Sequence, residues 1–142
     1  FDPQLSKAFS AAADYFETAI AAITEMYAYS GPLRLDDNGL AKAGVLIRHL
    51  VLPGCIYDTR KILSVIWEHF GADAPVSLMC QYTPREDLKV PLNRRLTRRE
   101  YENAVDHAIA LGMTNVFIQK AESATFDYTP EFSDHIEIPQ EL

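Results

Sequence analysis

Apolar residues recur along the chain with two alternating periods, and that alternation lays out the elements. Between positions 15 and 29, Phe16, Ala19, Ile20, Ile23, Met26 and Tyr27 form one stripe at the spacing of an amphipathic helix. Asp14 with Glu17 reads as a capping box at its start, and Gly31-Pro32 as its stop. Leu33-Arg34-Leu35, the turn signal Asp37-Asn38-Gly39 and a return through Leu40 toward Val45 predict a small β-hairpin, because Asn-Gly supplies positive φ. Gly44–Leu52 reads as a strand apolar on both faces, ended by Pro53-Gly54. Asp58 is expected to cap a second helix with the stripe Ile62, Leu63, Ile66 and Phe70, stopped by Gly71. Pro75–Tyr82 is a second apolar strand. After a polar loop, Thr97-Arg98-Arg99-Glu100 is a capping box whose helix should bury Tyr101, Ala104, Val105, Ala108 and Ile109. Gly112 fits the position after that helix, and Asn115–Lys120 is a third strand.

The strand starts are separated by the length of βαβ crossover units, about 30 residues or more, so the three strands should be parallel neighbours. Three parallel strands leave at least one edge without a partner, and free N–H and C=O groups on an edge recruit other strands. The expected fold class is α/β, resembling part of a larger sheet or barrel, with residues 1–130 as the domain and 131–142 as an acidic tail. The start on Phe1-Asp2-Pro3 is expected to lie in the middle of something larger.

Charge changes the picture in one respect. Residues 1–120 hold all 13 basic side chains and 14 acidic ones, whereas from Ala121 onward there are six acids and no Lys or Arg. A near-neutral body with an acidic tail has no general attraction for nucleic acid or anionic lipid, and neither partner is expected. Two cysteines cannot build a disulfide framework and do not form a C-x-x-C pair, so a reducing, cytoplasmic setting is the expectation. No apolar run is long enough to span a bilayer.

In parallel α/β folds, functional groups gather at the C-terminal ends of strands. Arg48 is the most informative residue there. On a strand covered on both faces its guanidinium must pair with a neighbouring carboxylate or bind an anionic ligand. His49 is expected to be a satisfied core histidine, and Cys80 a small buried hydrophobe. Gln81 and Tyr82 close the second strand, where they either face a cavity or pack in the loop. Arg94, Arg95, Arg98 and Arg99 straddle a helix start and read as a solvated face pairing with Glu86, Asp87 and Glu100. Nucleic-acid binding through them would want further lysines and stacking aromatics. Phosphate loops, nucleophile elbows and zinc-protease motifs are missing from the sequence.

The series Gly44-Val-Leu-Ile-Arg48-His49-Leu-Val-Leu-Pro53-Gly54, Asp58-Thr59, and Val76-Ser-Leu-Met79-x-Gln81-Tyr82-x-Pro84 resembles the second half of radical S-adenosylmethionine (SAM) proteins. The nearest group is the pyruvate formate-lyase activating enzymes. The run Leu92-Asn93-Arg94-Arg95-Leu96-Thr97 and the opening Asp2-Pro3-x-Leu5-x-Lys7 are similar to that group as well. The opening would follow a strand outside this chain. The resemblance spans nearly all of residues 1–130. It implies the C-terminal half of a partial (β/α)6 TIM-like barrel that binds SAM and a [4Fe-4S] cluster. The cluster cleaves SAM reductively, and the resulting 5′-deoxyadenosyl radical abstracts hydrogen from a glycine of a partner glycyl radical enzyme. By position, Arg48 matches a strand arginine that reaches the SAM methionyl carboxylate, and Gln81 or Tyr82 matches a strand end lining the same pocket. The cluster motif C-x3-C-x2-C and the Gly-Gly-Glu segment of the family are absent here, and Cys55 and Cys80 do not replace them. The resemblance therefore implies a half whose cluster ligands lie elsewhere, inactive alone and expected to dimerise through exposed strand edges. The alternative is a non-catalytic α/β binding or oligomerisation module.

Overall fold

The computed structural model describes residues 1–84 and 88–119. Its elements run α1 (Pro3–Ser10), α2 (Tyr15–Ser30), β1 (Arg34–Leu35), β2 (Ala41–Ala43), β3 (Ile47–Leu50), α3 (Ile56–Phe70), β4 (Val76–Met79), α4 (Arg98–Ala110) and β5 (Val116–Ile118). The architecture is mixed α/β, with a three-stranded parallel sheet in the order β3-β4-β5. The acidic tail, Lys120, Glu86, Asp87 and the domain boundary expected at residue 130 lie outside the described residues.

The parallel strands pair as the crossover spacing predicts, with Ile47 opposite Val76 and Val76 opposite Val116. The strands are shorter than their apolar runs because Pro53 and the flanking turns end the ladder early. On one face Ile47, Val51, Val76 and Leu78 are buried against Leu63 and Ile66 of α3 and Tyr101, Ala104 and Ala108 of α4. This is the core, and its residues are those marked by the 2.0 and 3.6 periods. Tyr101 carries a polar handle into it: its hydroxyl donates to the Leu78 carbonyl at 2.9 Å and accepts from the Gln119 N–H at 2.8 Å.

The other face departs from expectation. Leu46 and Leu50 are each 36% exposed, Phe117 is 40% exposed, and Arg48 stands among them in solvent. Parallel sheets are normally covered on both sides. The helices here cover only one, so Arg48 is not buried as the pattern required.

Several local expectations need correction. Helix α1 was not legible as a stripe; Asp2 caps it by accepting from the Gln4 N–H at 2.8 Å, with Pro3 in the first turn. Asp14 stands at the start of α2, but its side chain makes no capping bond. Helix α3 begins at Ile56, with Cys55 at the cap position, so Asp58 lies inside the first turn rather than ahead of it. Its carboxylate turns outward and accepts from the Phe1 nitrogen at 3.2 Å and the Asp2 N–H at 2.8 Å. Ile109 is 65% exposed, since the buried stripe of α4 is narrower than its apolar one. The capping box of α4 forms as read, with Thr97 and Glu100 exchanging bonds.

The hairpin is present: β1 and β2 are antiparallel, and Asp36 Oδ1 accepts from the N–H groups of Asn38 and Leu40, both at 2.9 Å. Just past it, Gly44 has φ of +94°, and a Cβ there would run into the Pro32 carbonyl. That close approach brings Gly31–Leu33 alongside the start of β3, in a parallel bridge between Pro32 and Val45.

Candidate functional site

A cavity of about 550 Å³ opens between α1–α2 and the free edge of β3, with α3 beneath. Phe16, Ile20 and Ile23 of α2 form one wall, and Arg48, His49 and Leu50 of β3 the other. Helix α2 packs loosely: Tyr27 stacks at a tilt on Phe70 with ring centroids 4.8 Å apart, and Phe1 meets Phe16 edge-on at 5.2 Å. None of its sixteen residues is fully buried.

Arg48 makes no ion pair or hydrogen bond with any described residue. Its five N–H donors are therefore available in a partly apolar setting, an arrangement suited to a planar carboxylate. His49 occupies the opposite side of β3. Its Nε2 lies 3.1 Å from Thr59 Oγ1, so it is a satisfied, half-buried histidine. Burial pulls its pKa down to about 4, against the opposing pull of Asp58, leaving a neutral imidazole at neutral pH.

Gln81 continues the alternation of Ser77 and Met79, the face that Arg48 shares. It is exposed, and Gln119 Nε2 approaches its Oε1 at 3.5 Å. Tyr82 is engaged in the following loop, its hydroxyl donating to the Leu92 carbonyl at 2.6 Å. Of the three sequence-selected residues, only Arg48 lines the cavity.

Sequence reasoning missed how the loops beyond the strand ends are tied together. Glu100 does this. Its Oε1 accepts from the Gly54 N–H at 2.7 Å, and Arg94 donates to both carboxylate oxygens at 2.8 Å. The Arg94 guanidinium, aided by the Thr97 and Gly54 N–H groups, holds this carboxyl far below the usual carboxylate range. The capping motif marked Glu100, but nothing in the local sequence pairs it with Gly54, 46 residues away. The remaining basic cluster behaves as a solvated face, with Arg98 pairing Glu102 at 2.6 Å.

Two other chemistry-bearing groups resolve as structural. Arg60 Nε donates to His107 Nδ1 at 3.3 Å, which assigns the ring proton to Nε2, facing Ser64 Oγ and the Arg60 carbonyl. A ring that donates toward Ser64 cannot take its proton. Cys55 and Cys80 are buried thiols outside any disulfide, and burial pushes both up, away from the thiolate that binds metals. Among the described residues no three His, Cys, Asp or Glu side chains converge as a metal site. No helix among them is long and apolar enough to cross a membrane.

No family model matches the chain, and comparison with curated proteins and with solved structures finds no match to it.

Proposed function

We propose that the chain is the C-terminal half of a radical SAM protein of the activating-enzyme type, its sheet forming part of a (β/α)6 barrel. The observation that carries this reading is Arg48: an unpaired guanidinium on the uncovered face of a parallel sheet, in a cavity with apolar walls. In such a barrel the uncovered face is the interior, and ligands sit toward the C-terminal ends of its strands. Arg48 fits the methionyl carboxylate of SAM as a bidentate partner, and Gln81 stands on the same face one strand away. Tyr82 serves this site by holding the loop through Leu92.

Cys55 and Cys80 do not fit as ligands of a [4Fe-4S] cluster, being buried, protonated thiols. The cluster belongs to residues outside this chain, and SAM bound beside it supplies a radical source when reductively cleaved. A glycyl radical enzyme is the proposed partner, and cytoplasm the proposed setting.

The test begins with the coding sequence upstream of Phe1. An in-frame C-x3-C-x2-C motif, followed by anaerobic formation of 5′-deoxyadenosine from SAM by the longer protein, supports the reading. Arg48→Ala in that protein should raise the KM for SAM at least about tenfold while leaving the fold intact. A gene without the cysteine motif, or a longer protein that leaves SAM uncleaved, overturns it. The open sheet edges favour a second reading, a binding or oligomerisation module; sedimentation across micromolar concentrations would then show a homodimer.

A further inference from the structure

The start of α4 carries positive charge where a helix is already positive, and we propose that the acidic segment after Gln119 docks on it as an intrachain partner. Arg94, Arg95, Arg98 and Arg99 stand against Glu100 and Glu102, which leaves residues 94–102 with a net charge of +2. The macrodipole adds to that charge at a helix N-terminus, so cations there cost stability unless an anion faces them. Glu100 holds Arg94, and Glu102 holds Arg98. Arg99 is exposed and forms no ion pair or hydrogen bond with a described residue. The first turn of α4 therefore presents positive charge that the described carboxylates leave unbalanced.

The fold delivers the opposite charge to the same place. Tyr101, at the end of the first turn of α4, accepts from the Gln119 N–H at 2.8 Å, so the chain leaves β5 beside that turn. Beyond it, residues 121–142 hold six acids and no Lys or Arg. Glu122 comes three residues after Gln119, a reach of ~10 Å, and Asp127 and Glu131 follow at longer reach. A tether this short gives an effective concentration in the millimolar range, and several exposed ion pairs, each weak alone, then act together. Glu86 and Asp87, in the loop before α4, are the rival carboxylates, two charges against six. A nucleic acid or an acidic segment of another protein would have to displace the chain's own segment first. This inference rests on the charge pattern and the contact between Tyr101 and Gln119, and is independent of the family reading.

The test uses the 142-residue chain carrying a nitroxide on Ser133→Cys, Cys55 and Cys80 being buried. At low salt the label should broaden the amide signals of Arg98–Tyr101. Those signals should recover at about 0.5 M salt, where the screening length falls to about 4 Å. Arg95→Glu with Arg99→Glu, two exposed positions, should abolish the broadening at low salt. So should a chain whose six acids after Ala121 are changed to Gln or Asn, with Glu86 and Asp87 kept. By fluorescence anisotropy, this neutralised chain should bind a labelled ten-residue glutamate peptide at least about tenfold more tightly than the parent, whose own segment competes. Signals that stay sharp at low salt, or broadening that survives charge reversal, overturn the proposal. Equal peptide binding by the parent and the neutralised chain overturns it too, and assigns the basic face to Glu86 and Asp87 or to another protein's acidic segment.

Discussion

Removing the Glu100 carboxylate should loosen the loops beyond the sheet more than any other single surface change. The carboxylate joins three segments: the turn after β3 through Gly54, the loop before α4 through Arg94, and the start of α4 through Thr97. Loss of the capping interaction costs about 1 kcal/mol. The Gly54 N–H donates across 2.7 Å to a charged acceptor at a solvent-exposed turn, and losing that bond costs about 1 kcal/mol more. Glu100→Ala is therefore expected to destabilise by roughly 2 kcal/mol. Arg94 is solvated, so Arg94→Ala should cost only a small fraction of that despite its two short bonds. Glu100→Gln keeps an acceptor for Gly54 and a partner for Thr97, and should fall between the two. Urea denaturation followed by circular dichroism measures all three, with the slope held common. Because folding depresses this carboxyl, its contribution is present above the unfolded pKa near 4.3 and is lost as pH falls below it. The acid limb of the stability profile should therefore flatten in Glu100→Gln. Equal costs for Glu100→Ala and Arg94→Ala, or an alanine variant as stable as the parent, would refute this account.

Three further outcomes follow from the geometry. Tyr27 buries a hydroxyl without a partner, so Tyr27→Phe should leave stability unchanged or raise it by up to about 1 kcal/mol, measured by thermal melting. The neutral, half-buried His49 has its pKa drawn from 6.5 to about 4, so the unfolded chain takes up the proton first; stability present above pH 6.5 should decline toward pH 4, by up to about 1.4 kcal/mol per pH unit. His49→Gln should remove that slope, and a persisting slope would assign it to another group. Gly44→Ala forces a Cβ onto the Pro32 carbonyl at positive φ and should cost at least about 2 kcal/mol, with the Val45 amide exchanging faster.

The sequence by itself determined every element type after α1, the parallel pairing and most of the core. Those follow from local periods and stop signals: Leu63 and Ile66 on the α3 stripe, Ala104 and Ala108 on that of α4, Gly31, Gly71 and Gly112 at the helix ends. Such features depend on residues within a few positions of one another, which is the range over which a pattern can be read. Arg48 was legible as a residue needing an explanation, but its environment was not. An apolar run looks the same whether one face or both are covered, and only the packing of helices on a single side leaves Leu46, Arg48 and Leu50 exposed. The tie between Glu100 and Gly54 and the outward turn of Asp58 toward Phe1 were likewise settled by tertiary structure. Each joins residues far apart in the chain, whose meeting depends on the path of the whole backbone and leaves no mark in the local pattern.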